Sequence, residues 1–569
     1  MMLKAREDID NLAGTISAGK LAANAGRDIN LTTTTATGSN RVGEAYASHT
    51  VVSGVSVLDV DSATLVAGRD INARAASITA TGDLGMGAKR DVNLDTVQVG
   101  DRRDSVADAR NRTSTAQSAE IGTQISGHDV TLIAGQDVNA RAAYVNAENA
   151  LGVGAKRDIN VTAGQSSVAI RDEQGRTSGG FLSKSSTHTV DAVSRTEAMG
   201  STFSGDTVTM HADRDLTVAG STVAGTQDVN LSATRDLTIT TTETQSSAYS
   251  FKEEKKSGFG ATGGGISYGS RNQKDTTNDR ATQQVGSLVG STDGSVHLNA
   301  GSTLTVKGSD LIAMRDITGV GADVNIEAAQ NRQHHDETHE VKQSGFTLGV
   351  SGGAIGAAIN AGNKISSASK SEDGRASALW GMASARDAYD AANLLGGPGG
   401  ATEGAAVTLS WGTSQSKQTL TQDSISHNGS RVQAGGTAKF IATGVDANGN
   451  QTTGNLNIIG SDIDASKVAL GAKHNVNIVS ATDTDESHST NKSSSASIGV
   501  RMDWAKATQA SASPRRLHRQ KATRIALARH KAIVMCVARS PSRSCPVTTP
   551  ASRVQRSVAA RLGWMWAGT

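Results

Sequence analysis

The chain has little cysteine, proline or aromatic residue for its length. Its 569 residues hold two cysteines and five prolines, and aromatics make up 3 %. Both cysteines, Cys536 and Cys545, fall in the last 34 residues. A long stretch without thiols suits a chain that crosses an oxidising compartment unfolded, and it also suits many cytosolic proteins. Few prolines suit stacked strands, because each strand residue must donate its N–H. Few rings suit a narrow interior filled by Val, Ile, Leu and Ala. No run of 18 apolar residues exists, so no membrane-spanning helix is expected. The start, Met1–Asp8, has no apolar segment of the kind a secretory leader carries, so export of this stretch by itself is not expected.

Acidic residues are absent after Trp504, where 13 Lys and Arg stand alone. That leaves 43 basic against 54 acidic residues before it, a net of −11 that would repel nucleic acid. The overall charge of +2 hides this division.

What is abundant is repetition. Gly68-Arg69-Asp70-Ile71-Asn72 returns as Lys89-Arg90-Asp91-Val92-Asn93, with the aspartates 21 residues apart. Asp137 and Asp158 repeat that spacing, as do Asp215 and Asp236. A fixed period near 20 residues signals a solenoid. Inside each phrase apolar and polar residues alternate, as in Ile29-Asn30-Leu31, the pattern of strands with one buried face. Two or three such strands with Gly, Asn and Asp corners make one coil of a parallel β-helix, rising ~4.8 Å per coil. A β-sandwich also spaces its strands evenly, but it does not require them to resemble one another.

Coils are expected over roughly 1–32, 58–95, 123–161, 204–242, 291–330 and 430–480, about twelve in all, giving a rod of roughly 60 Å. Between them lie Thr/Ser-rich insertions, read as β-hairpins projecting from the rod. Lys256-Ser257-Gly258-Phe259 in one and Lys342-Gln343-Ser344-Gly345-Phe346 in the next show that the insertions are related. Within the insertion 331–429, helical spacing of Met382, Ala385, Tyr389 and Ala392 predicts a helix over 376–395, ended by the Gly/Pro run 396–400. The domain plan is therefore a β-helix with hairpins over 1–330, a long insertion with a Gly-rich hairpin over 331–429, and coils with the start of a further insertion over 430–504. The basic segment 505–569 holds four of the five prolines. It is expected to be a disordered tail read out of frame, a genuine basic tail being the alternative.

No chemical site stands out. Gly14–Leu21 fits the phosphate-loop spacing up to Lys20, but Leu21 replaces the required Ser or Thr. The His334-His335-Asp336-Glu337-Thr338-His339 cluster would put His335 and His339 on one face of a helix, where they could bind a metal. It follows a strand phrase, so a polar hairpin is the expected state. Asp28, Asp70, Asp91, Asp137, Asp158, Asp215 and Asp236 are expected to cap corners by accepting backbone N–H groups in Asx-type turns. No calcium nonapeptide accompanies them. No catalytic residue, cofactor or metal site is assigned.

The phrases AGRDINL, GAKRDVNL and GAKRDINV, with paired coils, Thr-rich exits and KxSGF insertions, resemble the haemagglutinin repeats of filamentous haemagglutinin-type exoproteins over about 1–504. The resemblance implies a right-handed parallel β-helix exported by a two-partner secretion system. The implied partners are an outer-membrane transporter and a receptor on a host or neighbouring cell, with no nucleic acid and no small-molecule substrate. It also implies a bacterial surface location and an adhesive or structural role. The alternative is a stalk that delivers a contact-dependent growth-inhibition toxin. A polysaccharide-degrading β-helix enzyme is the remoter reading, since the aspartates recur at corners instead of clustering once.

Overall fold

The structure, a computed structural model, describes residues 1–180, 183–262, 265–351, 406–503, 516–531 and 536–538. The expected helix over 376–395 lies outside them. The described chain is all β and winds as a parallel β-helix.

Each coil lays down three short strand segments. Two rows share one 20-stranded sheet, and the third row is a separate 12-stranded sheet, so the described rod has twelve coils. Alternation points every second side chain inward, where it meets its counterpart one coil away. In the third row Ile29, Ile71, Val92, Val138, Ile159, Leu216, Leu237, Leu304, Val324 and Leu456 stack in register. Nearly all are completely buried. In the first row Leu58, Ile78, Ile125, Val145, Phe203, Val223 and Val289 form an equivalent stack. Aliphatic side chains stacked on aliphatic side chains fill most of the interior, with Phe203 and Phe440 as its buried rings among the described residues. Each buried Val, Leu or Ile is worth about 1.5–3 kcal/mol.

The corner after the third row has two forms, and they alternate. In every second coil it is tight, turning on one residue with positive φ: Ala13, Ala75, Ala142, Gly220, Gly308 or Gly460. At Gly220 a Cβ would run into the Thr242 side chain, so glycine answers both the dihedral and the space there. In the intervening coils the same corner opens into an antiparallel hairpin. The first five hairpins are Thr34–Val42 with Ala45–Gly54, Val97–Asp108 with Asn111–Ile121, Gly164–Gly180 with Ser183–Met199, Thr242–Thr262 with Gly265–Val285, and Ala329–Ser351 with Ala406–Asn428. The sixth is Thr482–Asp503 with Arg516–Lys531, which lies in the basic segment. Strand length grows from 9 residues in the first hairpin to 23 in the fifth.

The hairpins do not project separately. Each bonds to the next, giving one 12-stranded antiparallel sheet along the side of the rod.

Two substitutions test this construction. Phe203→Ala empties a fully buried position and is expected to cost about 3–5 kcal/mol. Amide exchange should accelerate in the coils around it first, because solenoid coils contact only their neighbours. Gly220→Ala is expected to lower the denaturation midpoint, whereas Gly180→Ala, whose Cβ would meet nothing within 4 Å, should leave it unchanged.

Candidate functional site

The repeated aspartates form a ladder at the corner between the second and third rows. Each carboxylate accepts the backbone N–H of the matching corner one coil further on. Asp8 accepts from Asp28 at 3.0 Å, Asp28 from Asp70 at 3.2 Å and Asp70 from Asp91 at 3.2 Å. Asp91 accepts from Asp137 and Asp137 from Asp158, both at 3.1 Å. Asp158 accepts from Asp215 and Asp215 from Asp236, both at 3.3 Å. Asp236 ends the run by accepting from Thr303 at 3.1 Å.

The arginine that precedes the upper aspartate closes each rung with a two-pronged contact. Arg27 grips Asp8, Arg69 grips Asp28, Arg90 grips Asp70, Arg157 grips Asp137, Arg214 grips Asp158 and Arg235 grips Asp215. Forked guanidinium–carboxylate pairing is the strong form of this contact. The guanidiniums are about half exposed, so solvent screens much of the attraction. Gln136 stands where Arg would grip Asp91 from the next coil; that rung keeps its N–H, and Asp91 pairs with Arg90 of its own coil at 3.3 Å. Arg27 pulls the Asp8 carboxyl down to about 2. Arg69 and Arg157 likewise hold Asp28 and Asp137 below the usual carboxylate range, against the opposing effect of burial.

A second ladder lies at the hairpin corner. The N–H of Ser201 donates to the Ser221 hydroxyl at 3.2 Å, Ser221 to Ser287 at 3.2 Å, Ser287 to Ser309 at 3.1 Å, Ser309 to Ser430 at 3.2 Å and Ser430 to Ser461 at 3.1 Å. Their hydroxyls donate in turn to main-chain carbonyls, such as Ser287 to Thr240 at 2.6 Å and Ser430 to Glu327 at 2.7 Å. All six are buried. Hydroxyls committed to carbonyls, with no base beside them, are structural and not nucleophilic. Sequence reasoning did not single them out. The available signal was the Gly-Ser dipeptide that recurs at 200–201, 220–221, 286–287, 308–309, 429–430 and 460–461. A third, outer ladder joins asparagines: Asn72 donates to Asn30, Asn93 to Asn72, Asn139 to Asn93 and Asn160 to Asn139, at 2.9–3.0 Å.

The histidine cluster lies on the fifth hairpin as an extended strand. His334 is held between Asp423 at 2.6 Å and Asp336 at 2.7 Å. His335 and His339 face the other side and pair with Asp279 and Asp275 of the fourth hairpin. Each is thus bound to its own carboxylate. Among the described residues no group of three or more His, Cys, Asp or Glu is placed to hold a metal ion. A shallow groove of about 600 Å³ crosses the sheet beside His334, lined by Tyr249, Asn278, Arg280, Asp336, Thr338 and Thr421. Within it the Thr421 hydroxyl donates to Asp336 at 2.8 Å, a carboxylate that His334 also holds at 2.7 Å. Gly14–Leu21 runs into the strand Thr15–Ala25 and forms no phosphate cradle.

Asp28 is depressed when folded, so its contribution is present above the ordinary value of about 3.9 and fades as pH falls through its folded value. Asp28→Asn should cost about 1–3 kcal/mol at pH 7, and the gap from the native chain, measured by denaturation, should shrink as pH drops below about 4. His334 is raised, by Asp423 first and Asp336 second. Its contribution is full below about 6.5 and is lost as pH rises through the higher folded value. In an NMR titration Asp423→Asn should move the His334 midpoint down. An unmoved midpoint would show that the pair does not couple.

Comparison with known proteins fits this geometry. The Hemagglutinin repeat family matches residues 105–181, 177–274, 266–381 and 409–524. A 16S rRNA endonuclease CdiA of Enterobacter cloacae is 38 % identical over 441 residues, 75 % of this chain and 13 % of that protein. A tRNA nuclease CdiA of Escherichia coli strain STEC_O31 is 34 % identical over 512 residues, covering 88 % of this chain and 16 % of its own length. One from Burkholderia pseudomallei is 35 % identical over 395 residues, 65 % of this chain and 29 % of its own. The chain thus spans less than a third of each of these relatives. No solved structure matches it. With the family matched across more than half its length and its coils and hairpins repeating in register, the chain belongs to the Hemagglutinin repeat family.

Proposed function

We propose that this chain is a section of the stalk of a bacterial surface exoprotein, acting as a rigid spacer and adhesive scaffold without catalysis of its own. The observation behind this reading is the twelve-coil rod with a hairpin sheet bonded along its side. Such a body transmits length and stiffness, and its repeated polar residues are used up in bonds between coils. The corner aspartates Asp28, Asp70, Asp91, Asp137, Asp158, Asp215 and Asp236 act here as caps that hold one coil to the next. An outer-membrane two-partner secretion transporter and a cell-surface receptor are the partners that the family resemblance supports.

A specific observation favours the toxin-delivery reading within this frame. The relatives named above are called nucleases, yet each matches this chain over its repeats. In this reading the nuclease chemistry belongs to other parts of those proteins, and the repeats carry it outward.

Two measurements test the proposal. Small-angle scattering from the purified chain should give an elongated particle, its coil stack roughly 55–60 Å long at ~4.8 Å per coil; a compact sphere would refute it. Incubation with tRNA and ribosomal RNA should give no cleavage. Cleavage that survives further purification would move the active site into this chain.

A further inference from the structure

Polar side chains in the rod are spent on one another, but several in the groove across the hairpin sheet are not. Tyr249 on the fourth hairpin stands directly opposite Asn278. Arg280, two residues beyond Asn278 on its strand, is the diagonal neighbour of Tyr249 on that face. Diagonal neighbours lie roughly 7–8 Å apart, within reach of aromatic and long side chains. All three line the groove, with Thr276 and Thr338 beside them. Among the described residues none of these five side chains has a hydrogen-bond, ion-pair or ring partner. Tyr249 is 37 % exposed, and Arg280 is exposed beside it.

The charges around the groove leave Arg280 available. It is the only cation among the described residues that line it. His334 stands opposite Arg280, and Asp423 stands opposite His334. Both nearby acids, Asp423 and Asp336, are engaged by His334 at 2.6 and 2.7 Å, and Asp336 also takes the Thr421 hydroxyl. Alternation sends the Glu337 side chain to the other face. On the first hairpin an arginine and a tyrosine satisfy each other: Arg41 lies over the Tyr46 ring, 5.7 Å from its centre. Among the described residues Arg280 and Tyr249 make no such contact, so a guanidinium fork and a ring remain open side by side.

We propose that this groove binds a small aromatic monocarboxylate, with its carboxylate on Arg280 and its ring on Tyr249. The planar fork of N–H donors matches the two oxygens of one carboxylate. The Tyr249 ring accepts a second ring in an offset or edge-on arrangement. The Asn278 amide and the Thr276 and Thr338 hydroxyls can take up a polar substituent. A volume of about 600 Å³ suits a ligand of this size. A phosphate ester fits less well, because its second charge has no second lining cation to meet. The site stands apart from the spacer role, which needs no ligand, so its failure would leave that reading unchanged.

The test uses the full chain and naphthoate, followed by saturation-transfer NMR on the ligand. Saturable binding is expected at about 1 mM or tighter. Naphthamide, which lacks the charge, and acetate, which lacks the ring, should each bind about tenfold more weakly. Arg280→Gln and Tyr249→Ser should each weaken naphthoate binding about tenfold, and Tyr249→Phe, which keeps the ring, should retain it. Arg41→Gln removes the same charge from the first hairpin and should change nothing. Absence of saturable binding, equal loss in Arg280→Gln and Arg41→Gln, or tighter binding of naphthamide or naphthyl phosphate than of naphthoate would overturn the proposal.

Discussion

Hydrogen bonding fixes neighbouring strands ~4.8 Å apart, and this one distance governs both halves of the molecule. The coils stack at that rise. A hairpin contributes two strands, so hairpins that bond side by side need two strand spacings each. One hairpin per coil would overfill the side sheet, and one per three coils would leave gaps. One hairpin per two coils matches, and that is the alternation the corners show, with Ala13, Ala75, Ala142, Gly220, Gly308 and Gly460 closing the coils between. The paired coils of the sequence are thus a consequence of strand geometry.

The same stacking decides how corners are satisfied. A turning chain leaves N–H groups without ladder partners, and a buried one is costly. Local caps would solve this within a coil. Here the partner sits one coil away: a carboxylate below each Asp N–H, a hydroxyl beyond each Ser N–H. Each ladder therefore adds to cohesion along the rod axis, where a solenoid has only nearest-neighbour contacts to rely on. Arginine reinforces the acidic ladder and also neutralises a column of carboxylates that would otherwise repel one another.

Much of this was legible from spacing alone. The 21-residue period, the alternation around Ile71 and Val92, and the corner aspartates all point to a parallel β-helix, because a coil's contacts repeat at the period itself. The acceptor role of Asp70 could be anticipated, but its donor could not be named, since the Asp91 N–H becomes a neighbour only once the coils are stacked. The serine ladder was harder still. Ser309 and Ser430 touch across 121 residues because the fifth hairpin intervenes, which breaks the period that revealed everything else. The fusion of hairpins left no periodic signal either, because their lengths differ.

Repetition also explains where function can and cannot reside. A residue that recurs in each coil, such as the corner Asp, is constrained by its neighbours above and below, and a site built from it would appear many times over. Recognition needs a local departure from the repeat. The rod interior allows few, since Val or Ile must meet its like. The hairpin sheet allows many: its faces see solvent, its strands lengthen along the rod, and side chains such as His334 and Tyr249 have no counterpart at each level. Rigidity comes from the repeated coils, and chemical individuality is left to the sheet they carry.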